Sequence, residues 1–535
     1  MPSTTLSRST VVALAVAGLA GCPAPGARPP RPAGPPPALG HEDLTIDAGE
    51  QALTGLRYTP EALPPPSMLL VHGARKANLD RLRATWSRAV ADRRGALARK
   101  ALDGHLLATA LFEAARTDVA RRGALLGEAV AVIATLHART KGETDETTLV
   151  MGAALAFAVG DDAAAEPYLV ELSARFGDRP GGLMAKAQLA YIRLREGDDA
   201  IAQALVGALV PTAALPEPAY AIAWVRFRAA DGPGAAAAIT LAAQGWTAAA
   251  SQPAIDRDFL LMHARSGLPI ATAVDAVVAV ADAPERRHAL LYQLAAAYAA
   301  AGRPDEAAAA LDAAVAAVAT LPDTLAPTVR LLQAEYLRRA GRIDALAAAW
   351  RAAGAAMAAC TSCSADDRRA LGDGLAARAV EAHTIYATTG DVRYKRAADE
   401  LYAQFAALPG VADRDDHARV AQYAADFARV RAPSDGAQYA DAIRTPLALR
   451  QPDVQACYEA TLQGTPRLGG DVILVLDVDG AGAVIGAATE PARGSDGLAA
   501  VAGCVEDRAR TWPMPARPRP GTARVSVRYV LGARP

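Results

Sequence analysis

Seven glycines, Gly160, Gly197, Gly232, Gly267, Gly302, Gly341 and Gly390, follow apolar helical stretches at successive intervals of 37, 35, 35, 35, 39 and 49 residues. This recurrence constrains the fold more than any single motif. A unit of this length holds two helices and a turn but cannot bury its own apolar face, so stacked neighbours must supply the missing contacts. The spacing predicts an α-α array over residues 78–445, each glycine closing a helix in a backbone conformation that disfavours a β-carbon. At 535 residues and 52% hydrophobic content the chain can hold two to four domains and a sizeable core. Its formal charge of −1 argues against nucleic-acid binding, which draws on a basic excess to release counterions.

Within the unit around Gly302, the residues Leu294, Ala295, Tyr298, Gly302, Ala307, Ala314 and Pro322 stand in order. Small side chains at Ala295 and Ala307 let helices approach closely, and Tyr298 fills the space between neighbours. The set resembles the tetratricopeptide repeat, with the proline displaced. Tyr386 keeps the same spacing to Gly390, whereas Tyr336 with Gly341 and Tyr191 with Gly197 depart from it, so a generic α-α solenoid of equal period is the alternative. The resemblance implies a protein-interaction surface. Chaperone-binding members clamp a peptide carboxylate with asparagine and basic residues, and the single asparagine here, Asn78, lies outside the clear repeats. Arg330, Arg338, Arg339 and Arg342 of the later repeats suit either an acidic partner or plain solvation.

Near the amino terminus, Arg8 precedes an apolar run from Val11 to Leu19, which ends in Leu19, Ala20, Gly21 and Cys22. The run has the length of a secretory h-region and is too short to span a bilayer. It resembles the signal peptide of bacterial lipoproteins, which implies cleavage after residue 21 and lipidation of Cys22. Pro23 stands where an aspartate marks inner-membrane retention in many such lipoproteins, so the resemblance implies the periplasmic face of the outer membrane. Residues 22–40 are rich in proline and read as an extended tether. Residues 41–77 read as an N-terminal capping segment, with a strand at Met68 to Val71. The His72-Gly73 pair after it is similar to the oxyanion loop of α/β-hydrolases, yet the chain has no G-x-S-x-G elbow.

At about Thr445 the texture changes. A helix over Pro452 to Leu462, strands at Asp471 to Val478 and Ala483 to Ala488, a helix over Leu498 to Arg510 and a strand at Ala523 to Leu531 predict a small α/β module at 446–535. Asp477 to Gly480 lack the further ligands of a calcium loop and read as a hairpin turn. Cys457, Tyr458 and Glu459, then Pro466, Leu468, Gly470, Val472, Asp479 and Gly480, then Cys504, Trp512, Pro513, Pro515 and Gly521, resemble the AgmX/PglI-type C-terminal domain of gliding-motility proteins, itself similar to the periplasmic domain of TonB. Met514 replaces the usual aromatic between the two prolines.

The five cysteines divide as Cys22 to lipid, Cys360 with Cys363, and Cys457 with Cys504. Val454 with Cys457 and Val501 with Cys504 stand at i, i+3, which places both cysteines on apolar helix faces toward the sheet; a disulfide is expected, with two buried free thiols as the alternative. Cys360-Thr361-Ser362-Cys363 lies between alanine-rich helices rather than in a βαβ unit. It reads as a structural disulfide or inert thiol pair, ahead of a redox centre or half a metal site.

These observations point to a mainly α chain, a tetratricopeptide-like solenoid followed by a TonB-like α/β domain. They predict a non-enzymatic, outer-membrane, lipid-anchored scaffold that binds periplasmic or envelope proteins in assembly, secretion or gliding-type machinery. No catalytic, cofactor or metal residue is assigned, and neither is a nucleic-acid partner. The alternatives are a thiol-disulfide oxidoreductase at Cys360 and Cys363, a hydrolase using the 41–75 segment, or a peptidoglycan- or peptide-binding module.

Overall fold

The computed structural model describes residues 44–55, 58, 78–92, 97–140, 143–246, 252–316, 325–409, 416–430, 439–465, 468–491, 497–517 and 521–533. Cys22, the proline-rich stretch, Met68 to Val71, His72, Gly73, Pro322 and Pro466 lie outside them. The described chain is mainly helical with a small sheet, and comprises 21 helices and four strands. None of its helices is long and apolar enough to cross a membrane.

Eighteen helices, α1 (Leu79–Ala91) to α18 (His417–Phe427), precede the terminal module. Most consecutive helices pack on each other, with further contacts between many helices two apart. The turn chemistry repeats. Gly160, Gly197, Gly267, Gly302, Gly341 and Gly390 take φ between 69° and 88°, the left-handed conformation that ends a helix. At several turns the amide of the residue after the left-handed position returns to the carbonyl five residues back, as in Asp198 to Arg193, Arg303 to Tyr298 and Arg342 to Leu337. This closes the orphan carbonyls of the preceding helix. Asp161, Asp198 and Asp231 then cap the next helix through their carboxylates, where a negative charge meets the N-terminal dipole.

Gly232 departs from the expected series. The left-handed residue at that turn is Ala230, φ 59°, and Gly232 opens the next helix. It is required for a different reason: a β-carbon there would stand 2.7 Å from the Ser266 carbonyl oxygen.

Around α12 (Pro284–Ala300) and α13 (Pro304–Ala316), Leu294, Ala295, Tyr298, Ala307 and Ala314 are fully buried in one continuous core. The alanines let the pair approach, and Tyr298 fills the space this leaves. Four arginines singled out in the sequence have partners within the chain: Arg330 on Asp312, Arg338 on Glu335 and Glu381, Arg339 on Glu335, and Arg342 on Asp305.

The terminal module holds the helix α20 (Gln451–Gly464), strands β2 (Gly470–Val478) and β3 (Val484–Pro491), the helix α21 (Ala499–Ala509) and the strand β4 (Ala523–Ala533). The Asp479 carboxylate accepts from the Ala481 and Ala483 amides and pins the hairpin between β2 and β3. Val472, Leu474, Leu476 and Val478 of β2 alternate onto the core with Val525, Val527, Tyr529 and Leu531 of β4, the period-two pattern of a sheet covered on one face.

Two boundaries change. The segment read as a cap for the helical region instead supplies β1 (Leu44–Gly55), which pairs in parallel with β4, from Leu44 opposite Ala523 to Gly55 opposite Ala533. The sheet order is β1-β4-β2-β3. Without β1, the outer edge of β4 would leave its backbone groups unpaired, and Ile46 and Leu53 would lose their burial in the terminal core. Helix α19 (Tyr439–Leu449) also belongs to this core through Tyr439, Ile443 and Leu447, so the module begins before residue 446.

Candidate functional site

Several alternate helices of the helical region end on one edge. The last turns of α8 (Pro216–Arg228), α10 (Gln252–Arg265), α12 and α14 (Leu325–Ala340) line a shared cleft with α20 and α21 of the terminal module. Helix C-termini carry unpaired carbonyls and partial negative charge, which cations satisfy. Arg303 donates to the Ala264 and Leu268 carbonyls at 3.2 and 3.1 Å, and Arg508 of α21 donates to the Ala301 carbonyl at 3.2 Å.

Close approach depends on two of the recurring glycines. A β-carbon on Gly302 would lie 2.6 Å from the Asp453 carboxylate and 2.7 Å from the Arg508 guanidinium. One on Gly341 would lie 2.5 Å from the Pro513 ring and 2.7 Å from the Arg450 guanidinium. These glycines therefore both end their helices and clear the surface on which the terminal module sits.

A buried charge cluster holds the seam. Arg265 Nη2 is 2.5 Å from Glu459 Oε2, and the two side chains are only 10% and 7% exposed. Tyr58, just beyond β1, donates its hydroxyl to the same carboxylate oxygen at 2.7 Å and accepts from Arg265 at 2.9 Å. Arg265 also lies over the Tyr58 ring, 4.9 Å from its centre. Burial, the largest cause, pushes the Tyr58 phenol up to about 12, which keeps it protonated as the donor to Glu459. Three distant parts of the sequence thus share one hydrogen-bonded group. At the other end of the seam, Asp391 accepts from the Ala516 amide at 3.0 Å, and Arg393 donates to the Met514 carbonyl at 3.2 Å.

Between these attachments lies a cavity of about 590 Å³, lined by Arg265, Arg303, Arg450, Asp453, Arg508 and Trp512 among others. Burial lowers the proton affinity of Arg450 and Arg508 and raises that of Asp453. Its ionisable walls suit holding charge in a fixed geometry, in a volume typical of small-ligand sites.

The residues singled out in the sequence lie elsewhere. Cys360 and Cys363 form a disulfide with α-carbons 5.5 Å apart, between α15 (Ile343–Ala359) and the Ser364 cap of α16 (Ala365–Thr389). The two residues are 3% and 7% exposed, and Arg368 ties down the carbonyl of each. Cys457 and Cys504 join α20 to α21, with α-carbons 5.7 Å apart. Cys457 is buried in the core; Cys504 is only partly buried, because Val501 and Val505 take the inward positions of α21. Neither disulfide lines the cavity. Among the described residues, no group of three or more His, Cys, Asp or Glu side chains is arranged to hold a metal ion.

Tyr58, Arg265, Arg450 and Glu459 were not legible as a site, since Tyr58 and Arg265 are 207 residues apart and Tyr58 and Glu459 are 401 apart. The one local signal is the placement of arginines at helix C-termini, which by itself reads as capping. No protein-family model matches the chain, and no curated protein matches it.

Proposed function

We propose that the protein is a non-enzymatic lipoprotein, anchored through Cys22 on the periplasmic face of the outer membrane, that serves as a scaffold for envelope proteins. In this reading the helical region is a tetratricopeptide-like solenoid that gathers partner proteins, and the TonB-like module engages a second envelope component in assembly, secretion or gliding-type machinery. The observation that carries the proposal is the recurrence of one turn: six glycines near a common period each end a helix in left-handed backbone, as stacked helical repeats require. The lipoprotein-like signal ending in Leu19, Ala20, Gly21 and Cys22 suggests the location, and two formed disulfides suit an oxidising compartment.

The location is tested by Cys22→Ala. The variant is expected to retain its signal segment or to fractionate as soluble protein, because acyl chains provide the membrane affinity. Recovery in the outer membrane at wild-type level, resistant to salt washing, would defeat the anchor. Capture by the intact anchored protein, followed by identification of the proteins bound, tests the scaffold: reproducible envelope partners are expected, and none would contradict it.

A further inference from the structure

We propose that the cavity between the repeat edge and the terminal module binds an organic carboxylate, with the Arg450 guanidinium as its principal anchor. This inference is independent of the lipid anchor and of the scaffold role.

Arg450 is 6% exposed and lines the cavity. The enclosed Nε of its guanidinium has no hydrogen-bond partner. A buried guanidinium normally meets a carboxylate or carbonyls, since an unsatisfied charged donor is costly. The neighbouring charges are already committed. Arg265 pairs with Glu459, Arg303 with Glu306 at 2.9 Å, and Asp305 with Arg342 at 2.9 Å. That leaves Arg450 and Arg508 facing Asp453, which is 3.8 Å from Arg508, so the wall carries a surplus of one positive charge. The Trp512 indole N–H is also enclosed and faces Asp453.

A planar carboxylate matches both the single surplus charge and the fork of an arginine. A phosphate group, with closer to two charges at neutral pH, would leave an excess negative charge beside Asp453 and Glu306. Ala264, Ala340, Ala456, Ala460 and Pro513 also line the space, beside the polar Gln463 and Thr511, and the alanines and proline suit a short apolar body on the acid. The same chemistry is presented by a free small acid and by the C-terminal carboxylate of a peptide.

Calorimetric titration of the full chain decides the matter, with hexanoate, hexanamide, inorganic phosphate, and an alanine pentapeptide as free acid and as amide. Saturable binding of hexanoate or of the free-acid peptide is expected, with the matching amide and phosphate weaker by about tenfold or more. Tighter binding of the peptide acid assigns the ligand to a peptide terminus; tighter or equal binding of hexanoate assigns it to a small acid. Arg450→Met should lose at least about tenfold in affinity, and Arg450→Lys should lose less. Replacing an unpaired buried cation by an apolar side chain should preserve the fold, which circular dichroism checks; if Arg450→Met does not fold, the acid-against-amide comparison on the wild type still decides. Equal binding of acid and amide, preference for phosphate, no saturable binding up to about 10 mM, or undiminished carboxylate binding by folded Arg450→Met would each overturn the proposal.

Discussion

Glu459→Ala is expected to destabilise the folded chain by about 3 to 5 kcal/mol, because it strands the largely buried Arg265 guanidinium without its carboxylate partner. Glu459 accepts from Arg265, from the Tyr58 hydroxyl and, through its other oxygen, from Gln455 at 2.7 Å. Removing it leaves three donors short of an acceptor, one of them charged and 10% exposed. The net worth of the intact pair is much smaller, since both ions were desolvated to form it. Arg265→Met combined with Glu459→Met should therefore recover most of the loss. Urea denaturation of the three variants measures both effects. A loss for Glu459→Ala below about 1 kcal/mol, the range of an exposed pair, would show that the cluster does not hold the seam.

The second large effect concerns the bridge between α20 and α21. Replacing Cys457 and Cys504 together by serine opens a link that spans 47 residues, and in the chain-entropy model this costs about 4 kcal/mol of stability. The terminal module feels such a loss strongly because its core is small. The bridge Cys360–Cys363 spans three residues and restricts the unfolded chain far less, so its removal should cost less. Thermal melts of the two double variants rank the bridges. Equal melting temperatures, or a larger drop for the shorter loop, would contradict the ranking.

What the sequence discloses, and what it conceals, follows the range of the interactions. Turn glycines act within a few residues, and six of the seven were legible; Gly232 was not, because its constraint is the Ser266 backbone of another turn. Strands β2, β3 and β4 were legible from alternation and from the Asp479-Gly480 turn. Strand β1 was missed although Leu44, Ile46 and Ala48 alternate with polar residues, since the run is broken by a register shift between Asp47 and Glu50 and its partner lies at the far end of the chain. The cysteine pairing rested on helix periodicity, which located Cys457 well. It placed Cys504 too deep, because Val501 and Val505 fill the inward face of α21. The seam cluster was beyond local reading altogether: Arg265 and Glu459 each resemble an ordinary surface charge until the fold brings them together.

Amide hydrogen exchange on the full chain is the most direct test that the two ends of the sequence form one folded unit. If β1 completes the terminal sheet, amides in residues 44–55 that pair with β4 should exchange as slowly as those of residues 523–533 and 470–478, and should lose protection with them as denaturant is raised. Exchange of residues 44–55 at unprotected rates, while residues 523–533 remain slow, would show that β1 is not part of the sheet and that the amino-terminal segment is free of the terminal module.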